Sequence, residues 1–376
     1  MTEQEKDIEN GIGLIKFEKT TTFAKLRSPL EGFKETEQKI EYRKDPLTNH
    51  WSRINKLRAE RVIQAAAPGD SFEENLQQII KNSAQKCFFC PENVTKSTPK
   101  FSENLGIGER ITLGNFSLFP NLFVFSEFHA VGTLGKEHFT RLHEFPFKIW
   151  KEALQGTIAY FKAVHTFDSK QKYPSINFNF LPPSASSIIH PHIQVIQDAQ
   201  PTKYSDILFE QSKEYSKCVE NIKESNSSSG NYWIDLIASE KKINKRFICE
   251  NDFIAWVATF SPMGKDEIIG ILKNPKTDIT LFTEHECELL AIEIVTALRA
   301  MYLGRGVTSV NMAIIIGPIG ENISNNYRII VKIVSRPTFV PNYTGDIGFM
   351  ELLHIEPIAA ATPEIIADTI KPHFKY

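Results

Sequence analysis

The most informative segment of the sequence is His190-Pro191-His192-Ile193-Gln194-Val195. Side chains alternate between the two faces of a β-strand, so this pattern predicts a strand with His190, His192 and Gln194 on one face. An imidazole on such a strand can attack phosphorus, and a carboxamide two residues further on can hold the phosphate under attack. The competing interpretation is a surface strand whose solvent face happens to carry polar residues. The rest of the chain favours the chemical interpretation.

Composition limits the classes of protein to consider. The chain has 376 residues, 41% of them hydrophobic, and a formal net charge of -2. It is long enough for two domains, and its small net charge gives no overall electrostatic reason to bind nucleic acid or an anionic membrane. The N-terminus is polar and acidic, and no stretch reaches the length of a membrane-spanning helix, so we expect a cytoplasmic protein without nucleic-acid or membrane partners. Five cysteines, an odd number, argue against a secreted disulfide framework.

The order of predicted elements indicates an α+β fold with an internal duplication. Strands are predicted at 122–125, 130–134, 175–181 and 189–197 around a helix over 147–161, and again at 253–260, 267–272, 309–316 and 327–334 around a helix over 284–302. We therefore divide the chain into an N-terminal extended arm (1–41), a catalytic unit (42–200), a polar connector (201–250) and a second unit (251–376).

The two units differ in their chemistry. Where the first has the histidine stretch, the second has Tyr327-Arg328-Ile329-Ile330-Val331-Lys332, without an imidazole. The first unit alone can carry the histidine chemistry.

Cys87-Phe88-Phe89-Cys90 is a close cysteine pair of the kind that binds zinc together with ligands from further along the chain. The candidate partners are His129, His138, His143 and His190. A redox pair and two buried thiols remain open as alternatives. A structural zinc here would tie this loop to the strand that carries His190.

Several residues can bind phosphate. Gln194 can donate from its amide nitrogen, and the serines just before the histidine strand, Ser184, Ser186 and Ser187, can do the same. Arg53, Arg58 and Arg61 can neutralise phosphate charge, although a solvated helix or loop face is the simpler interpretation of such a charged run. No glycine-rich phosphate loop is present in the sequence.

Taken together and in order, these motifs resemble those of the galactose-1-phosphate uridylyltransferase family, the transferase branch of the histidine-triad superfamily, which also includes ADP-glucose phosphorylase-like proteins. The resemblance runs from about Tyr42 to the C-terminus. The matching segments are 43–51 with "NPLTGEW", 58–61 with "RAxR", 87–91 with "CPFCPG", 118–122 with "NLFPAL", 136–138 with "PxH", and 179–194 with "NxGxxAGxSxxHPHxQ".

The resemblance implies one structural zinc per chain, bound by Cys87, Cys90, His138 and His190. It implies that His192 is the catalytic nucleophile and that Gln194 holds the transferred phosphate. The further residues that it places at the phosphate and nucleotide site are Arg58, Arg61, Asn179 and Ser187. It also implies two tandem histidine-triad-like domains, each an antiparallel half-barrel sheet with helices, assembled as a homodimer.

The expected activity is nucleotidyl transfer through a covalent nucleotidyl-histidine, from a nucleotide sugar to a phosphate or sugar phosphate. The alternatives are an adenylyl-transferring phosphorylase, of the ADP-glucose or dinucleotide type, and a nucleotide-binding protein without turnover. The family's "GxxxAG" is Leu181-Pro182-Pro183-Ser184-Ala185-Ser186 here, and the hexose-contacting positions match poorly over 348–353. We therefore expect inefficient use of galactose 1-phosphate, while the base and the acceptor stay open.

Overall fold

The computed structural model describes residues 5–60, 71–221 and 228–375. Within these ranges, none of the helices has the length and apolar character needed to cross a membrane.

The strands, numbered along the chain, are β1 (Glu5–Asn10), β2 (Lys16–Ser28), β3 (Lys34–Lys44), β4 (Trp51–Ile54), β5 (Ile111–Leu113), β6 (Phe116–Pro120), β7 (Phe128–Leu134), β8 (Tyr173–Phe180), β9 (His192–Asp198), β10 (Phe247–Glu250), β11 (Ile254–Ala258), β12 (Ile268–Leu272), β13 (Val310–Ile315), β14 (Ile330–Ser335) and β15 (Ile358–Ala359). The α-helices are α1 (Phe72–Ala84), α2 (Pro91–Ser97), α3 (Phe147–Phe167), α4 (Lys203–Glu220), α5 (Tyr232–Ile243), α6 (Glu284–Arg305), α7 (Phe349–Leu353) and α8 (Pro363–Ile370). Short 3₁₀ helices lie at Pro29–Glu31, Lys56–Glu60, Glu103–Leu105, Pro182–Ser184, Ile279–Leu281 and Lys371–His373.

The larger sheet has ten strands in the order β10-β11-β12-β14-β13-β8-β9-β7-β6-β5. The strand order is symmetric: read inward from the two ends, β10-β11-β12-β14-β13 corresponds strand by strand to β5-β6-β7-β9-β8. The two halves meet at the antiparallel pair of β8 and β13, which aligns Asn177 with Ala313 and Asn179 with Asn311. The mirrored order is what a duplicated unit produces when its copies join through equivalent strands. The predicted α+β fold with two similar halves is confirmed.

The long helices α3 and α6 pack against one face of this sheet and against each other. Their apolar side chains and those of the sheet form one hydrophobic core, in which Trp150, Phe178 and Ile294 are buried. At the surface of the helix pair, the Lys151 ammonium lies 2.8 Å from carboxylate oxygens of both Glu284 and Glu288. Helices therefore pack on this face of the sheet in both halves.

The opposite face differs between the halves. Over β11 and β12 it is covered by α4 and α5, which bury Trp233 against Val257 and Ile269 in a second core. Over β8 and β9 it carries polar side chains instead, with Asn177 paired to Gln194. The polar face of the first half is where the candidate site lies.

The smaller sheet has the order β1-β2-β3-β4-β15. Residues 5–44 therefore form three strands, and the boundary that we placed after residue 41 falls within β3. The predicted connector contains α4, α5 and β10. The division of the chain into independent units stays a prediction.

Two predicted strands have different bounds in the structure. The strand expected at 122–125 is a loop, because the side-chain oxygen of Asn121 accepts the backbone N–H of Phe123 and turns the chain after β6. The histidine strand begins at His192, so His190 lies just outside it. Pro191 has no backbone N–H to donate to a ladder, which explains the late start.

Gly132 of β7 leaves room for the ring of Phe116, because a methyl group at position 132 would approach Phe116 Cε2 to 2.4 Å. We expect Gly132→Ala to lower the free energy of unfolding by about 1–3 kcal/mol, the usual cost of overpacking a core. Urea unfolding measures this, with Gly345→Ala as the control because nothing lies within 4 Å of the methyl position there. Equal stabilities of the two variants would contradict the prediction.

Candidate active site

His192 is the first residue of β9 and is 6% exposed. Its Nδ1 lies 2.9 Å from the carbonyl oxygen of His190. A carbonyl only accepts, so Nδ1 carries the proton and Nε2 keeps its lone pair. Burial lowers the pKa of His192, which favours the neutral ring. The structure thus holds one imidazole in the tautomer that a nucleophile requires.

Gln194 lies two residues further along β9, and its backbone pairs with Val131 on one side and Asn177 on the other. The Oε1 of its side chain lies 3.0 Å from Nε2 of His129. Alternation along the strand places Gln194 on the same face as His192, as the sequence predicted.

Four side chains form a compact cluster beside this strand: Cys87, Cys90, His138 and His190. Their possible ligand atoms all lie within 4.8 Å of one another. The Nδ1 atom of His190 is 3.8 Å from Cys87 Sγ and 3.7 Å from Cys90 Sγ, and the Nδ1 atom of His138 is 3.4 Å from Cys90 Sγ. Two sulfurs and two imidazole nitrogens converging on one point are a donor set suited to a tetrahedral metal ion.

Hydrogen bonds fix both histidines of this cluster for metal binding. His190 donates its Nε2–H to the carbonyl of Gly135, 3.1 Å away. The Ser83 hydroxyl donates to the carbonyl of Ile79, so it accepts from Nε2 of His138 at 2.8 Å. Each ring therefore turns an unprotonated Nδ1 toward the sulfurs, which is the outer-shell arrangement typical of metal-binding histidines.

The protonation states of the four side chains also favour binding of a cation. Burial lowers the pKa of His190 to about 4, which keeps that ring neutral. Burial and the neighbouring Cys87 raise the pKa of Cys90 to about 12. Two adjacent buried sulfurs cannot both ionise without a compensating positive charge, which a metal ion bound here would supply.

Phe89, between the two cysteines, links the cluster to the histidine strand. Its ring centroid lies 5.3 Å from that of His192 and 6.2 Å from that of His190, in edge-on contacts. The cysteine loop therefore orients His192 through packing as well as through His190. The sequence offered no signal for this role beyond the spacing of the cysteines.

The loop before the histidines contains two non-glycine residues with positive φ. Leu181 has φ 68° and ψ 161°, and Ala185 has φ 67° and ψ 21°. The motif that the chain resembles has glycine at position 181, so Leu181 follows a backbone path typical of glycine. Such conformations cost non-glycine residues of order 1–3 kcal/mol each and cluster at functional sites.

The three serines of this loop differ in their surroundings. Ser184 donates to the carbonyl of Leu181 at 2.7 Å, and Ser186 donates to the carbonyl of Ile188 at 2.9 Å. Both serve the loop itself. Ser187 is exposed, which leaves it the accessible serine of the three.

Asn179 connects the site to the second half of the sheet. Its Oδ1 accepts from Nδ2 of Asn311 at 2.7 Å, and Asn311 Nδ2 also donates to the carbonyl of Ser184 at 2.9 Å. The Oδ1 of Asn311 accepts from Nη1 of Arg336 at 3.0 Å. Sequence reasoning missed Asn311 and Arg336, because only the pairing of β8 with β13 brings them here.

Within the part of the chain that the structure describes, the predicted arginines do not lie with His192. Arg58 lines a cavity of about 620 Å³ together with Lys265, Arg305 and Asp346. Arg53 instead pairs with Glu356, with 2.7 Å between Nη2 and Oε2. Arg61 lies outside the described residues.

Of the four histidines considered as metal ligands, two lie away from the cysteines. His143 stacks on Tyr302, with ring centroids 3.6 Å apart. His129 contacts Gln194 instead. The cluster is thus the set that the resemblance implied.

The fold is an α+β fold whose larger sheet has two similar halves, one of which carries the histidine strand. It can be compared with the folds of known proteins. No family model matches the chain. An uncharacterized protein of Archaeoglobus fulgidus is 29% identical over 358 residues, which are 95% of this chain and 98% of that protein.

Among solved structures, an ADP-glucose phosphorylase from Arabidopsis thaliana with bound ADP-glucose is similar, with a TM-score of 0.64 at 19% identity over 88% of this chain and 98% of the other. A GalT-like protein from Arabidopsis thaliana has a TM-score of 0.63 at 17% identity over 88% and 98% of the two chains. A uridylyltransferase mutant has a TM-score of 0.61 at 17% identity over 89% and 97%. The chain thus has the fold of these GalT-like proteins, which is the fold that the resemblance of its motifs implied.

Proposed function

We propose that this protein is a nucleotidyltransferase that works through a covalent nucleotidyl-His192 intermediate. The observation that carries the proposal is the 2.9 Å contact of His192 Nδ1 with the His190 carbonyl, which leaves Nε2 as the nucleophile. The GalT-like fold, whose solved examples include an ADP-glucose phosphorylase and a uridylyltransferase, supports the same class of reaction.

In the first step, Nε2 of His192 attacks the α-phosphorus of a nucleotide donor. The new P–N bond forms as the bond to the leaving phosphate ester breaks. In the second step, a phosphate oxygen of the acceptor attacks the same phosphorus and releases the imidazole. The carbonyl of His190 stabilises the positive charge that the ring carries while it is bound to phosphorus, because it holds the Nδ1 proton throughout.

We assign the phosphate contacts to Gln194 and Ser187, with Asn179 on the nucleotide side. Gln194 shares a strand face with His192, and Ser187 is exposed in the strained loop before it. Arg58 and Arg61 are proposed to take part in phosphate or nucleotide binding, although Arg58 lines a separate cavity in the described chain.

We propose that the metal ion is one structural zinc per chain, bound by Cys87, Cys90, His138 and His190. Four protein ligands leave no open coordination position, which suits stability rather than Lewis-acid chemistry. The contribution of the ion is to fix the cysteine loop, and with it Phe89, against His192.

We propose a nucleoside diphosphate sugar as donor and a phosphate or sugar phosphate as acceptor. A phosphorylase that transfers adenylyl groups is the second candidate, supported by the similarity to the ADP-glucose phosphorylase. Cytoplasmic localisation stays a prediction. We also propose a homodimer, because α7 exposes large apolar side chains: Phe349 at 67%, Leu352 at 71% and Leu353 at 72%.

The test of the proposed function is the intact mass of the protein after incubation with single donors. UDP-glucose, ADP-glucose and a dinucleotide are each added without acceptor. We expect one donor to add the mass of one nucleoside monophosphate, which would identify the base. Unchanged mass with every donor, together with no exchange of sugar phosphates, would contradict the proposal.

Gln194→His is expected to shift the intermediate from transfer toward hydrolysis. A glutamine at this position accompanies transfer in the family that the chain resembles, and its hydrolytic relatives have a third histidine. The measurement is the ratio of free nucleoside monophosphate to transferred product at a fixed acceptor concentration. An unchanged ratio would show that Gln194 does not hold the transferred phosphate.

A further inference from the structure

Asn311 of β13 is a side chain of the second half that contacts the candidate site, and the proposed mechanism leaves it without a role. Its backbone is paired with that of Asn179. Its Nδ2 donates to Oδ1 of Asn179 at 2.7 Å and to the carbonyl of Ser184 at 2.9 Å. Its Oδ1 accepts from Nη1 of Arg336 at 3.0 Å. The amide of Asn311 therefore uses its oxygen and both of its N–H groups.

The partners of Asn311 fix the orientation of its amide from two sides. A guanidinium only donates, so the atom of Asn311 that faces Arg336 has to be the oxygen. A backbone carbonyl only accepts, so the atom that faces Ser184 has to be the nitrogen. Arg336 is itself held, with its Nη2 2.7 Å from Oδ1 of Asp346. A turned Asn311 amide would place donor against donor and acceptor against acceptor.

The same contact fixes the amide of Asn179. Because Asn311 donates, the atom of Asn179 that faces it has to be Oδ1, so Nδ2 is directed away from Asn311. Within the described residues, Nδ2 of Asn179 donates to no protein acceptor, and the residue is half-buried. Its two N–H groups therefore remain for a substrate.

Asn179 lies beside the predicted nucleophile. Strands β8 and β9 are antiparallel, and Asn177 of β8 is opposite Gln194 of β9. Asn179 is two residues further along β8, so it lies on the same face of the sheet and next to the start of β9 at His192. The Asn179 amide is thus on the face at which a phosphate attacked by His192 would bind.

We propose that Asn311 is a positioning residue of the nucleotidyl-transfer reaction: it holds Oδ1 of Asn179 and thereby directs the Asn179 amide nitrogen to a phosphate oxygen of the nucleotide. This inference rests on the proposed function. A phosphate oxygen only accepts, so an amide that presented its own oxygen would repel the substrate. Asn311 prevents that orientation before the substrate binds, so the donor is preorganised.

The first test needs no substrate. The side-chain amide of Asn311 is observed by NMR in metal-loaded protein labelled with ¹³C,¹⁵N-asparagine and is assigned through its own side-chain carbons. We expect both amide protons to exchange slowly with water, because both are donated within the protein. Exchange as fast as that of the exposed Asn322 side chain would overturn the inference, whatever the activity of the enzyme.

The second test compares Asn311→Asp with Asn311→Leu in the rate of His192 nucleotidylation by ADP-glucose or UDP-glucose. A carboxylate at position 311 still accepts from Arg336 but cannot donate, so Asn179 has to turn its nitrogen toward it and its oxygen toward the substrate. We expect Asn311→Asp to slow the reaction by about 10²–10³-fold, the usual effect of losing one preorganised donor. Asn311→Leu leaves the Asn179 amide free to turn, so its loss should be smaller.

The comparison is then repeated in the Asn179→Ala background, which has no amide to turn. Both substitutions at position 311 remove the donor to the Ser184 carbonyl, so the ratio of their rates cancels any effect on that loop. We expect the two rates to agree there within about 2-fold. If the carboxylate still slows the reaction without the Asn179 amide, it acts on the substrate directly and the inference is overturned.

The matched control is Asn322→Asp, which adds the same charge at an exposed position. Its Oδ1 accepts the backbone N–H of Ser324 at 3.0 Å, a contact that a carboxylate can also make. The control should keep the wild-type rate. Circular dichroism checks the folding of each variant, and the amide exchange of the wild-type protein decides the question where a variant does not fold.

The outcomes separate the inference from the proposed function. If a donor labels the wild-type protein but Asn311→Asp is no slower than Asn311→Leu, the inference alone is overturned and covalent transfer stands. A wild-type protein that no donor labels would remove the proposed function, and with it the inference.

Discussion

We expect His192→Ala to lower the rate of nucleotidyl transfer on the order of 10⁶-fold, the loss typical of removing a covalent nucleophile. No other imidazole shares its position at the start of β9. The variant should also gain no mass with any donor. The measurements are steady-state exchange and intact mass, and transfer at more than about 1% of the wild-type rate would contradict the covalent mechanism.

Two further variants show whether this loss is chemical. His285→Ala replaces an exposed histidine on α6 and should leave the rate unchanged. His192→Gly leaves space for a molecule of free imidazole. Imidazole added to the solution should therefore accept the nucleotidyl group in place of the missing side chain and restore part of the activity. A loss of α-helical circular dichroism in His192→Ala would instead point to a folding defect.

The second large effect is expected from Cys87→Ser, which removes one of the four predicted metal ligands. Loss of a structural metal is among the few causes of destabilisation by more than about 4 kcal/mol. With an unfolding entropy of about 2.1 cal/mol/K per residue, such a loss lowers the Tm of a chain of 376 residues by about 5 °C. Calorimetry and elemental analysis on the same preparations test whether Tm and zinc content fall together.

Cys218→Ser is the matched control, since Cys218 is an exposed thiol on α4 outside the cluster. It should keep both the zinc and the Tm of the wild-type protein. Freshly purified wild-type protein without zinc and with the same stability as Cys87→Ser would contradict a structural metal site.

The helices and most strands could be predicted from the sequence because their apolar residues repeat with the period of the element. The prediction of secondary structure failed where apolar residues do not repeat with the period of the element. β2 and β3 are charged, and their residues between 24 and 39 are largely exposed, so no apolar face marks them and we expected an extended arm over 1–41. The 122–125 run is apolar but lies in a loop, with Phe123 at 82% exposed.

The candidate site was predictable where its residues are close in sequence. His190, His192 and Gln194 come from one segment, and Cys87 and Cys90 from another. The contact of His129 with Gln194 could not be predicted, because it depends on the pairing of β7 with β9. Sequence alone left four histidines open as metal ligands, and the choice of His138 came from family resemblance.

The pairing of β8 with β13 also bears on how the protein can evolve. Asn311 belongs to the half without the histidine strand, yet it contacts Asn179 and the loop at Ser184 in the other half. A shortened descendant that kept the first half alone would expose the edge of β8 and lose this support. The half without the histidine strand therefore contributes to the candidate site by holding the backbone and side chains of the other half in place.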